Sequence, residues 1–563
     1  MGVAAMSDSA VSRTVGTQVD ASTVEVPVLV IGGSLVGLAT SMFLAQHGVE
    51  VLSIEKHHGT AIHPRAGYFQ LRTIELMRIA GIEDRVRAAA LELYEPDGGL
   101  NAVETLAGRE IANYIPNING GVEDVSPARR LFMPQQVLEP ILLQRAREFG
   151  AGFQYSTELV GYEQDDDGVT ATVRNVNDGT EAVIRAGYMV ACDGNRSPVR
   201  ESLGIRMIGH GLLSRSVTIY FRADCSAALR GRNLGVIYVN NPQVRGFFRL
   251  EKTGLGGFLV VFTVGDIHEP GARYVADSMT GEMAVQLVRE AVGDPELVVD
   301  VLDVDTWRAV AEAAETFQAG RIFLAGDAAH TMPPTGGFGG NTGIQDAHNI
   351  AWKLALVLAG TAGRALVDTY DQERQPAGMQ AIEQAYNRYV LRSDPDLGTE
   401  GMHDAIPDMH VEFNRYRSTA VVPDPGYVDD GALDIDPRQS HGLPGTRAPH
   451  VELSRNGKSL STLDLFIGDF VLIAASDAPA WAAAATAAAS QVGVTVLSFT
   501  IGSDLVDRSG EFGAAPFEVA YGIGPTGASL VRPDGYVAWR ANAHTPDAAD
   551  RLTTVLRHVL ALG

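Results

Sequence analysis

Near the start of the chain, apolar and polar positions follow the order strand, helix, strand. Residues 26–31 form an unbroken apolar run, which is typical of a parallel strand buried on both faces. A helical spacing follows, with apolar residues on one face at Leu35, Leu38, Ala39, Met42 and Ala45. Residues 49–55 form a second strand, so this stretch predicts the beginning of a parallel α/β sheet.

Three later stretches have different patterns. Residues 205–315 predict a mostly antiparallel sheet, because short alternating runs occur at 216–222, 234–239, 246–250 and 257–264. Residues 316–395 combine an apolar strand, a loop rich in Gly and Pro, and a long helix. After a segment rich in Pro, Gly and Asp, a small α/β region follows, with strands expected at 470–474, 494–501 and 528–540.

Composition excludes several classes of partner. The 68 acidic and 44 basic side chains give a net charge of −24, and no Lys/Arg run offsets it, so neither nucleic acid nor a membrane surface is a predicted partner. The two cysteines, Cys192 and Cys225, cannot form a disulfide framework or a Cys-rich metal site. Residues 1–23 lack the apolar segment of a secretory signal, so we predict a disordered leader and a cytoplasmic protein.

A glycine-rich turn, Gly32-Gly33-Ser34-Leu35-Val36-Gly37, connects the first strand to its helix. Such a turn brings backbone N–H groups and the positive end of a helix to a diphosphate, although Ser34 replaces the middle glycine of the strict fingerprint. Glu55 ends the second strand, where a carboxylate can bind ribose hydroxyls, and Lys56 follows it. The motif predicts FAD or NAD(P), and the alternative is a strand–turn–helix without a ligand. A second match, at residues 522–527, contains Pro525 and precedes a strand, so we reject it.

A second loop lies far along the chain. Gly326 and Asp327 end an apolar strand, where a carboxylate can bind the ribityl hydroxyls of a flavin. A Gly- and Pro-rich turn then leads into a long helix, whose start can stabilise negative charge on a reduced flavin. The candidate residues of this turn are Pro333, Gly339, Gly340, Asn341 and Thr342. We expect no metal at His330, because no further ligand stands at metal-binding spacing.

Taken together, these motifs resemble those of the single-component flavoprotein aromatic hydroxylases, which have the p-hydroxybenzoate hydroxylase fold. Further matches are the Asp193-Gly194 motif, the segment from His63 to Gly67, and Gln135 at the start of a helix. The resemblance implies that FAD is bound non-covalently by the residues named above together with Arg65, Ala66, Gln135 and Asp193. It also implies catalytic positions at Pro333 and Gly339, and it places Tyr68 beside the flavin ring.

Later segments narrow the resemblance. The segments 415–424 and 445–450 are similar to those of bacterial hydroxylases that modify aromatic polyketides, which share a thioredoxin-like C-terminal domain with phenol hydroxylase. No cysteine stands in that part of the chain, so it cannot perform dithiol redox chemistry. The predicted fold is α/β (α+β), with a Rossmann-like FAD-binding domain, an inserted substrate-binding sheet and a thioredoxin-like domain.

The resemblance also implies domain boundaries. It predicts a discontinuous FAD-binding domain at 24–95, 134–204 and 316–422. The substrate-binding domain is predicted at 96–133 and 205–315, and the linker at 423–450. The thioredoxin-like domain is predicted at 451–563.

The activity implied by the resemblance is oxygenation of a polycyclic aromatic polyketide in secondary metabolism. NADPH or NADH reduces FAD, and O2 then reacts through a flavin C4a-hydroperoxide. Hydroxylation, Baeyer–Villiger insertion and oxidative rearrangement all stay open, as do another flavin enzyme and a flavin-binding protein without catalysis. The expected assembly is a monomer or a homodimer.

The substrate-binding residues are the least constrained part of the prediction. Tyr68 is the candidate for proton relay, and Tyr220, Tyr238 and Arg249 stand on strands of the predicted substrate sheet. Because alternate side chains of a strand point to opposite faces, each of these residues also fits a core or surface position.

Overall fold

The apolar pattern corresponds to real strands and helices in most of the chain. A computed structural model describes residues 23–62, 67–263 and 279–563. Its strands, in chain order, are β1 (Val24–Ile31), β2 (Val51–Ile54), β3 (Tyr68–Phe69), β4 (Gly99–Val103), β5 (Glu110–Ile115), β6 (Leu131–Phe132), β7 (Gly152–Gln154), β8 (Thr157–Gln164), β9 (Val169–Asn175), β10 (Glu181–Ala191), β11 (Met207–Arg222), β12 (Leu234–Asn240), β13 (Arg245–Leu250), β14 (Gly256–Val261), β15 (Asp300–Ala314), β16 (Gln318–Ala319), β17 (Ile322–Leu324), β18 (His330–Thr331), β19 (Glu452–Arg455), β20 (Lys458–Ser461), β21 (Phe470–Ala474), β22 (Val496–Thr500), β23 (Val506–Asp507), β24 (Ala528–Val531) and β25 (Val537–Ala541).

The α-helices are shared among the same regions. In chain order they are α1 (Leu35–Gln46), α2 (Leu71–Ile79), α3 (Glu83–Leu93), α4 (Gln135–Glu148), α5 (Pro198–Ser202), α6 (Ser226–Leu229), α7 (Gly281–Val292), α8 (Phe338–Leu358), α9 (Ala365–Arg392), α10 (Asp408–Glu412), α11 (Ala480–Val492), α12 (Phe517–Ala520) and α13 (Ala548–Val559). Within the described ranges, none of them has the length and apolar character needed to cross a membrane.

The first sheet has the order β16-β17-β10-β1-β2-β7, with β8 and β9 extending it beside β10. Strands β17, β10, β1, β2 and β7 run parallel, as the buried apolar run at 26–31 predicts. Their carboxyl ends are in register, because Ile31 stands beside both Ile54 and Ala191, and Ala191 stands beside Leu324. The segments that follow these strands therefore emerge at one edge of the sheet.

The second sheet has the order β18-β15-β11-β14-β13-β12-β4-β5 and is mostly antiparallel, as predicted. The four strands expected from alternation correspond to β11, β12, β13 and β14, and position 264 lies outside the described residues. One face of this sheet packs against α7, with Ile219, Phe221 and Phe248 touching the layer that contains Ala284 and Val288. The opposite face is directed toward the first sheet.

The C-terminal region contains a four-stranded sheet of order β22-β21-β24-β25 and a three-stranded sheet of order β20-β19-β23. The prediction of one strand over 528–540 is wrong, because β24 and β25 form a hairpin there. Its turn contains Pro533, Asp534 and Gly535, residues that favour a chain reversal. Residues 445–448 already hydrogen-bond to residues 535–537. The thioredoxin-like assignment and the domain boundaries remain predictions.

A group of buried charges joins this region to helices α8 and α9. We call it the Glu373 cluster, and its members are Lys353, Glu373, Arg532 and Asp534. Arg532 donates to both carboxylate oxygens of Glu373 at 2.6 and 3.0 Å, and Lys353 donates to Glu373 at 2.8 Å. Arg532 also pairs with Asp534, whose carbonyl oxygen accepts from Arg72 at 2.6 Å. Every charge in the cluster therefore has a partner of opposite sign.

Candidate active site

The predicted motifs meet at one edge of the first sheet. Gly32 follows β1, Glu55 follows β2, Asp193 comes two residues after β10, and Gly326 comes two residues after β17. Because the ends of these four strands are in register, positions almost 300 residues apart in sequence become neighbours. The carboxyl edge of an open parallel sheet is where such folds bind nucleotides.

The turn after β1 requires glycine for close packing. Gly32 has φ +103°, and a Cβ there would clash with the carbonyl oxygen of Cys192. A Cβ at Gly37 would clash with the carbonyl oxygen of Gly32, so the start of α1 lies directly on the turn. Ser34 caps the helix with no side-chain hydrogen bond, and the N–H groups of the first helical residues, Leu35 to Gly37, have no acceptor within the helix. These N–H groups fit a diphosphate.

Acidic side chains surround this turn. Glu55 accepts hydrogen bonds from the backbone N–H groups of Gly33 at 2.7 Å and His57 at 2.8 Å, which holds its carboxylate beside the turn. Lys56 is exposed. Gln135 donates to Glu139 at 2.6 Å. The sequence reasoning missed Glu139, which also accepts from the N–H of Ala61 at 2.6 Å, and burial raises the pKa of its carboxyl group.

Asp193 has an open position in its hydrogen bonding. Its Oδ2 accepts from the N–H of Val199 at 3.2 Å, whereas its Oδ1 is buried with no hydrogen-bond partner among the described residues. Burial raises the pKa of this carboxyl group. Arg200 donates to the carbonyl oxygen of Ala328 at 3.0 Å and so ties this motif to the Gly326 loop. An unsatisfied buried oxygen at a strand end is suited to a ligand hydroxyl.

The Gly326 loop is held by a residue that sequence reasoning missed. Asp346 on α8 accepts from the N–H of Gly326 at 3.1 Å, and it pairs with His330 and Arg374, both at 2.8 Å. Burial raises the pKa of Asp346, but Arg374 and His330 outweigh burial and hold it below its usual value. Asp327 is exposed at the tip of the loop. His330 is thus a partner of Asp346, and no metal-binding group occurs among the described residues.

Helix α8 begins at the same edge. Gly337 caps it with φ +67°, and the N–H groups of Gly339 and Gly340 have no acceptor within the helix, while those of Asn341 and Thr342 belong to the helical ladder. The Asn341 side chain accepts from the N–H of Gln70 at 2.9 Å and donates to the carbonyl oxygen of Tyr68 at 2.9 Å. Pro333 is buried in the preceding loop. Helix α8 therefore presents N–H groups while Asn341 positions the Tyr68 backbone.

The strand register brings three predicted substrate residues to one face of the second sheet. Tyr220 stands opposite Phe258, Arg249 also stands opposite Phe258, and Tyr238 stands opposite Phe247. Phe247 and Arg249 are two residues apart on β13, so all five side chains point to the same side. This is the side that faces the first sheet, and all three predicted residues are buried there.

Tyr68 and Arg249 lie close together, between this face and α8. We call Tyr68, Tyr94, Phe132 and Arg249 the Arg249 cluster. The guanidinium of Arg249 lies over the rings of Phe132 at 4.6 Å and Tyr94 at 4.9 Å, and the rings of Tyr68 and Phe132 are 5.3 Å apart. Burial raises the pKa of the Tyr68 phenol and lowers the pKa of Arg249. The predicted cofactor residues Arg65 and Ala66 lie outside the described residues.

The site fits FAD in three respects. Two helix starts present N–H groups without an acceptor in their own helix, glycines allow close approach of a ligand to the backbone, and Asp193 has a buried oxygen without a hydrogen-bond partner among the described residues. Comparison with known proteins agrees with this chemistry. Residues 25–385 match the family model of the FAD binding domain, and residues 441–562 match that of the aromatic-ring hydroxylase C-terminal region.

Relatives match this chain over nearly their whole length. A 4-methyl-5-nitrocatechol 5-monooxygenase from Burkholderia sp is 49% identical, and the alignment covers 95% of this chain and 98% of the relative. An aklavinone 12-hydroxylase from Streptomyces purpurascens is 38% identical over 95% and 99% of the two chains. The crystal structure of aklavinone-11 hydroxylase with FAD and aklavinone matches with a TM-score of 0.88 and 39% identity, over 95% and 99%. The chain therefore belongs to the family of FAD-dependent aromatic-ring hydroxylases and is a flavin-dependent monooxygenase.

Proposed function

We propose that this enzyme uses NADPH or NADH and O2 to oxygenate a phenolic polycyclic polyketide in the cytoplasm, as part of secondary metabolism. The observation that carries the proposal is the convergence of two helix starts and four strand ends beside a buried aromatic face. The substrate, NAD(P)H, one proton and one O2 would give the oxygenated product, NAD(P)⁺ and water. Hydroxylation, Baeyer–Villiger insertion and rearrangement are the outcomes to distinguish, and a monomer or homodimer is the proposed assembly.

Each part of the site has a proposed role. FAD, when bound, would supply electron transfer from the nicotinamide to O2. The N–H groups at Leu35–Gly37 would bind its diphosphate, and Asp193, Asp327 and Glu55 would bind hydroxyl groups. The N–H groups at Gly339 and Gly340 would stabilise negative charge on the reduced ring. The second sheet would exclude water from the aromatic substrate. The proposed domain boundaries are those that the family resemblance implies.

A second candidate substrate is a single-ring nitrocatechol. The Burkholderia relative, whose name gives this substrate, shares 49% identity, whereas the aklavinone 12-hydroxylase shares 38%. Both substrates are phenols, so the site chemistry described above serves either one. The difference between the candidates is the size of the substrate.

The experiment is a turnover assay with the FAD-loaded enzyme. Consumption of NADPH and of NADH is measured with aklavinone and with 4-methyl-5-nitrocatechol, and product masses are determined. We expect consumption of reductant to rise with one of these substrates and an oxygenated product to form. Release of hydrogen peroxide without product from either phenol, or no reductant consumption at all, would contradict the proposal.

The cofactor assignment has its own test in Gly37→Ala. The added methyl group would clash with the carbonyl oxygen of Gly32, so we expect at least ten-fold weaker FAD binding, measured by flavin absorbance per protein after gel filtration. Gly161→Ala is the matched control, because a Cβ there meets no atom within 4 Å. Equal FAD content in the two variants would contradict the assignment of the Gly32–Gly37 turn.

A further inference from the structure

Arg249 differs from the other buried arginines of the described residues. Its side chain is 4% exposed, and its Nε and Nη2 have no hydrogen-bond partner among residues 23–62, 67–263 and 279–563. Every other buried arginine in these ranges donates at least one hydrogen bond to the protein; these are Arg72, Arg130, Arg200, Arg374, Arg388, Arg415, Arg447 and Arg532. A buried cation without a partner is unfavourable unless an anion joins it.

The surroundings of Arg249 are aromatic rather than acidic. The guanidinium lies against the rings of Tyr94 and Phe132, and no carboxylate pairs with it within the described part of the chain. The ring of Phe132 packs on Gly235 of β12, where a Cβ would clash with it. The rings therefore hold the guanidinium in place and leave its hydrogen-bond donors unused, since an aromatic face attracts a cation but accepts no hydrogen bond of ordinary strength.

The cation is also near the proposed flavin site. The Nη1 atom of Arg249 lies against the backbone of Gly67, so that a Cβ at Gly67 would clash with it. The next residue is Tyr68, whose ring approaches Gly337 at the start of α8, where a Cβ would lie 2.8 Å from its Cδ1 atom. Arg249 thus lies on the face of the second sheet that would bind the substrate. Tyr68 lies between it and the start of α8, which would contact the flavin.

We propose that Arg249 binds the ionised phenolic oxygen of the aromatic substrate, so that the enzyme takes up its substrate as a phenolate. This inference rests on the proposed function and adds the charge state of the substrate to it. The guanidinium offers its unpaired Nε and Nη2 donors to one phenolate oxygen. Hydrogen bonds between such charged groups are short and strong. The phenol releases its proton to the solvent before binding, and no side chain of the cluster has to accept it.

The groups that face Arg249 do not compete for this role. The titratable side chains whose charges act on it are the phenols of Tyr68 and Tyr94, and burial raises the pKa of both. Both therefore stay neutral across the working range of pH. Among the described residues, no anionic side chain therefore pairs with the guanidinium before the substrate binds.

The test is equilibrium binding to the oxidised, FAD-loaded enzyme. The probes are 4-methyl-5-nitrocatechol, whose ionisation changes its visible absorbance, and aklavinone, each titrated between pH 5 and 8. We expect the wild type to bind the ionised form and Arg249→Met to bind it at least ten-fold more weakly. Arg249→Lys keeps the charge without the planar fork and should fall between them. Arg222→Met, at an exposed arginine of β11 in the same sheet, is the matched control and should stay within two-fold of wild type.

A stability measurement separates recognition from a structural role. If Arg249 only supported the fold, Arg249→Met would lower Tm. Because the arginine is an unpaired buried charge, we expect Tm without substrate to be unchanged or higher. The inference is overturned if Arg249→Met binds the ionised probes like the wild type, if the wild type prefers the neutral phenols, or if neither probe binds the wild type.

The two proposals fail in different ways. Phenolate binding that depends on Arg249, without any oxygenated product, would support this inference and contradict the proposed function. Oxygenated product formed by Arg249→Met at the wild-type rate and affinity would leave the proposed function standing and overturn this inference.

Discussion

The Glu373 cluster and the Arg249 cluster both bury arginine, but with opposite arrangements around it. Arg532 has two carboxylates beside it, and Glu373 accepts hydrogen bonds from Asn349, Lys353, Ser418 and Arg532. Arg249 has two aromatic rings and no carboxylate within the described residues. Every charge of the Glu373 cluster is paired within the protein, whereas in our proposal the charge of Arg249 is paired by the bound substrate.

This difference separates charges that hold the fold together from charges that serve binding. Removing one member of a complete buried network leaves the others without compensation, which strongly destabilises a protein. Removing a lone buried cation takes away an unfavourable group, so stability is kept while function is lost. The sign of the stability change therefore tells the two kinds of site apart.

The largest expected effect comes from Glu373→Gln. The substitution leaves Arg532 and Lys353 buried without their shared carboxylate, and we expect the free energy of unfolding to fall by about 3–5 kcal/mol. Glu383→Gln on the same helix is the control. Among the described residues, the Glu383 carboxylate pairs with the partly exposed His210 and the exposed His403, so its loss should change the free energy of unfolding by less than about 1 kcal/mol. Urea denaturation followed by circular dichroism measures both. Equal urea midpoints for the two variants would show that the Glu373 cluster does not hold the C-terminal region against helices α8 and α9.

Acid should destabilise the region around the Glu373 cluster and leave the Arg249 cluster unchanged. Burial lowers the pKa of both His47 and His450 to about 4, and burial also lowers the pKa of His348, which lies near Arg72 and Arg532. Because the unfolded chain takes up these protons at a higher pH than the folded chain, this stability is complete above pH 6.5 and is lost as the pH falls toward 4.

His47 and His450 would each contribute at most about 3 kcal/mol across this window. The measurement is the urea midpoint of the wild type and of His47→Gln/His450→Gln between pH 4.5 and 7.5, where the double variant should show the flatter curve. His403→Gln, at an exposed histidine, should leave the curve unchanged. Parallel curves for the double variant and the wild type would contradict the prediction.

The smallest expected effect comes from Tyr94→Leu in the Arg249 cluster. Leucine keeps the apolar contact but removes the ring face over which the guanidinium lies, an interaction of about 0.5–1 kcal/mol. We expect phenolate binding to weaken roughly two- to five-fold, with Tm nearly unchanged. Phe512→Leu removes an exposed ring beside Arg508 in the C-terminal region instead and serves as the control. A loss of binding as large as that of Arg249→Met would mean that Tyr94 contacts the substrate itself.

The sequence could predict the strand ends and the two glycine turns because their signals are local. An apolar run followed by Gly32, or by Gly326 and Asp327, identifies both the strand and the residue at its end. The hairpin at 528–541 was missed, although Pro533, Asp534 and Gly535 are turn residues, because the apolar residues on both sides suggested one continuous strand.

Other features depend on tertiary contacts that no local pattern contains. Glu373 and Arg532 are 159 residues apart, and Asp346 reaches back to Gly326 across a loop and about two turns of helix. Alternation showed that half of each strand faces inward, but only the register showed that Tyr220, Tyr238 and Arg249 share that half. The missing partner of Arg249 is a property of the whole packing around it.

The turn between β24 and β25 limits how this chain can be recombined with its relatives. Arg532 and Asp534 in that turn contact Glu373 of α9 and Arg72 of α2, so the turn and these two residues have to be exchanged together. A chimera that exchanges the C-terminal region must carry a matching residue at 373, or it will bury a charge without a partner. Exchange of the second sheet alone leaves these pairs intact, but it must keep a cation at position 245, because Arg245 of β13 pairs with the buried Asp394 that follows α9.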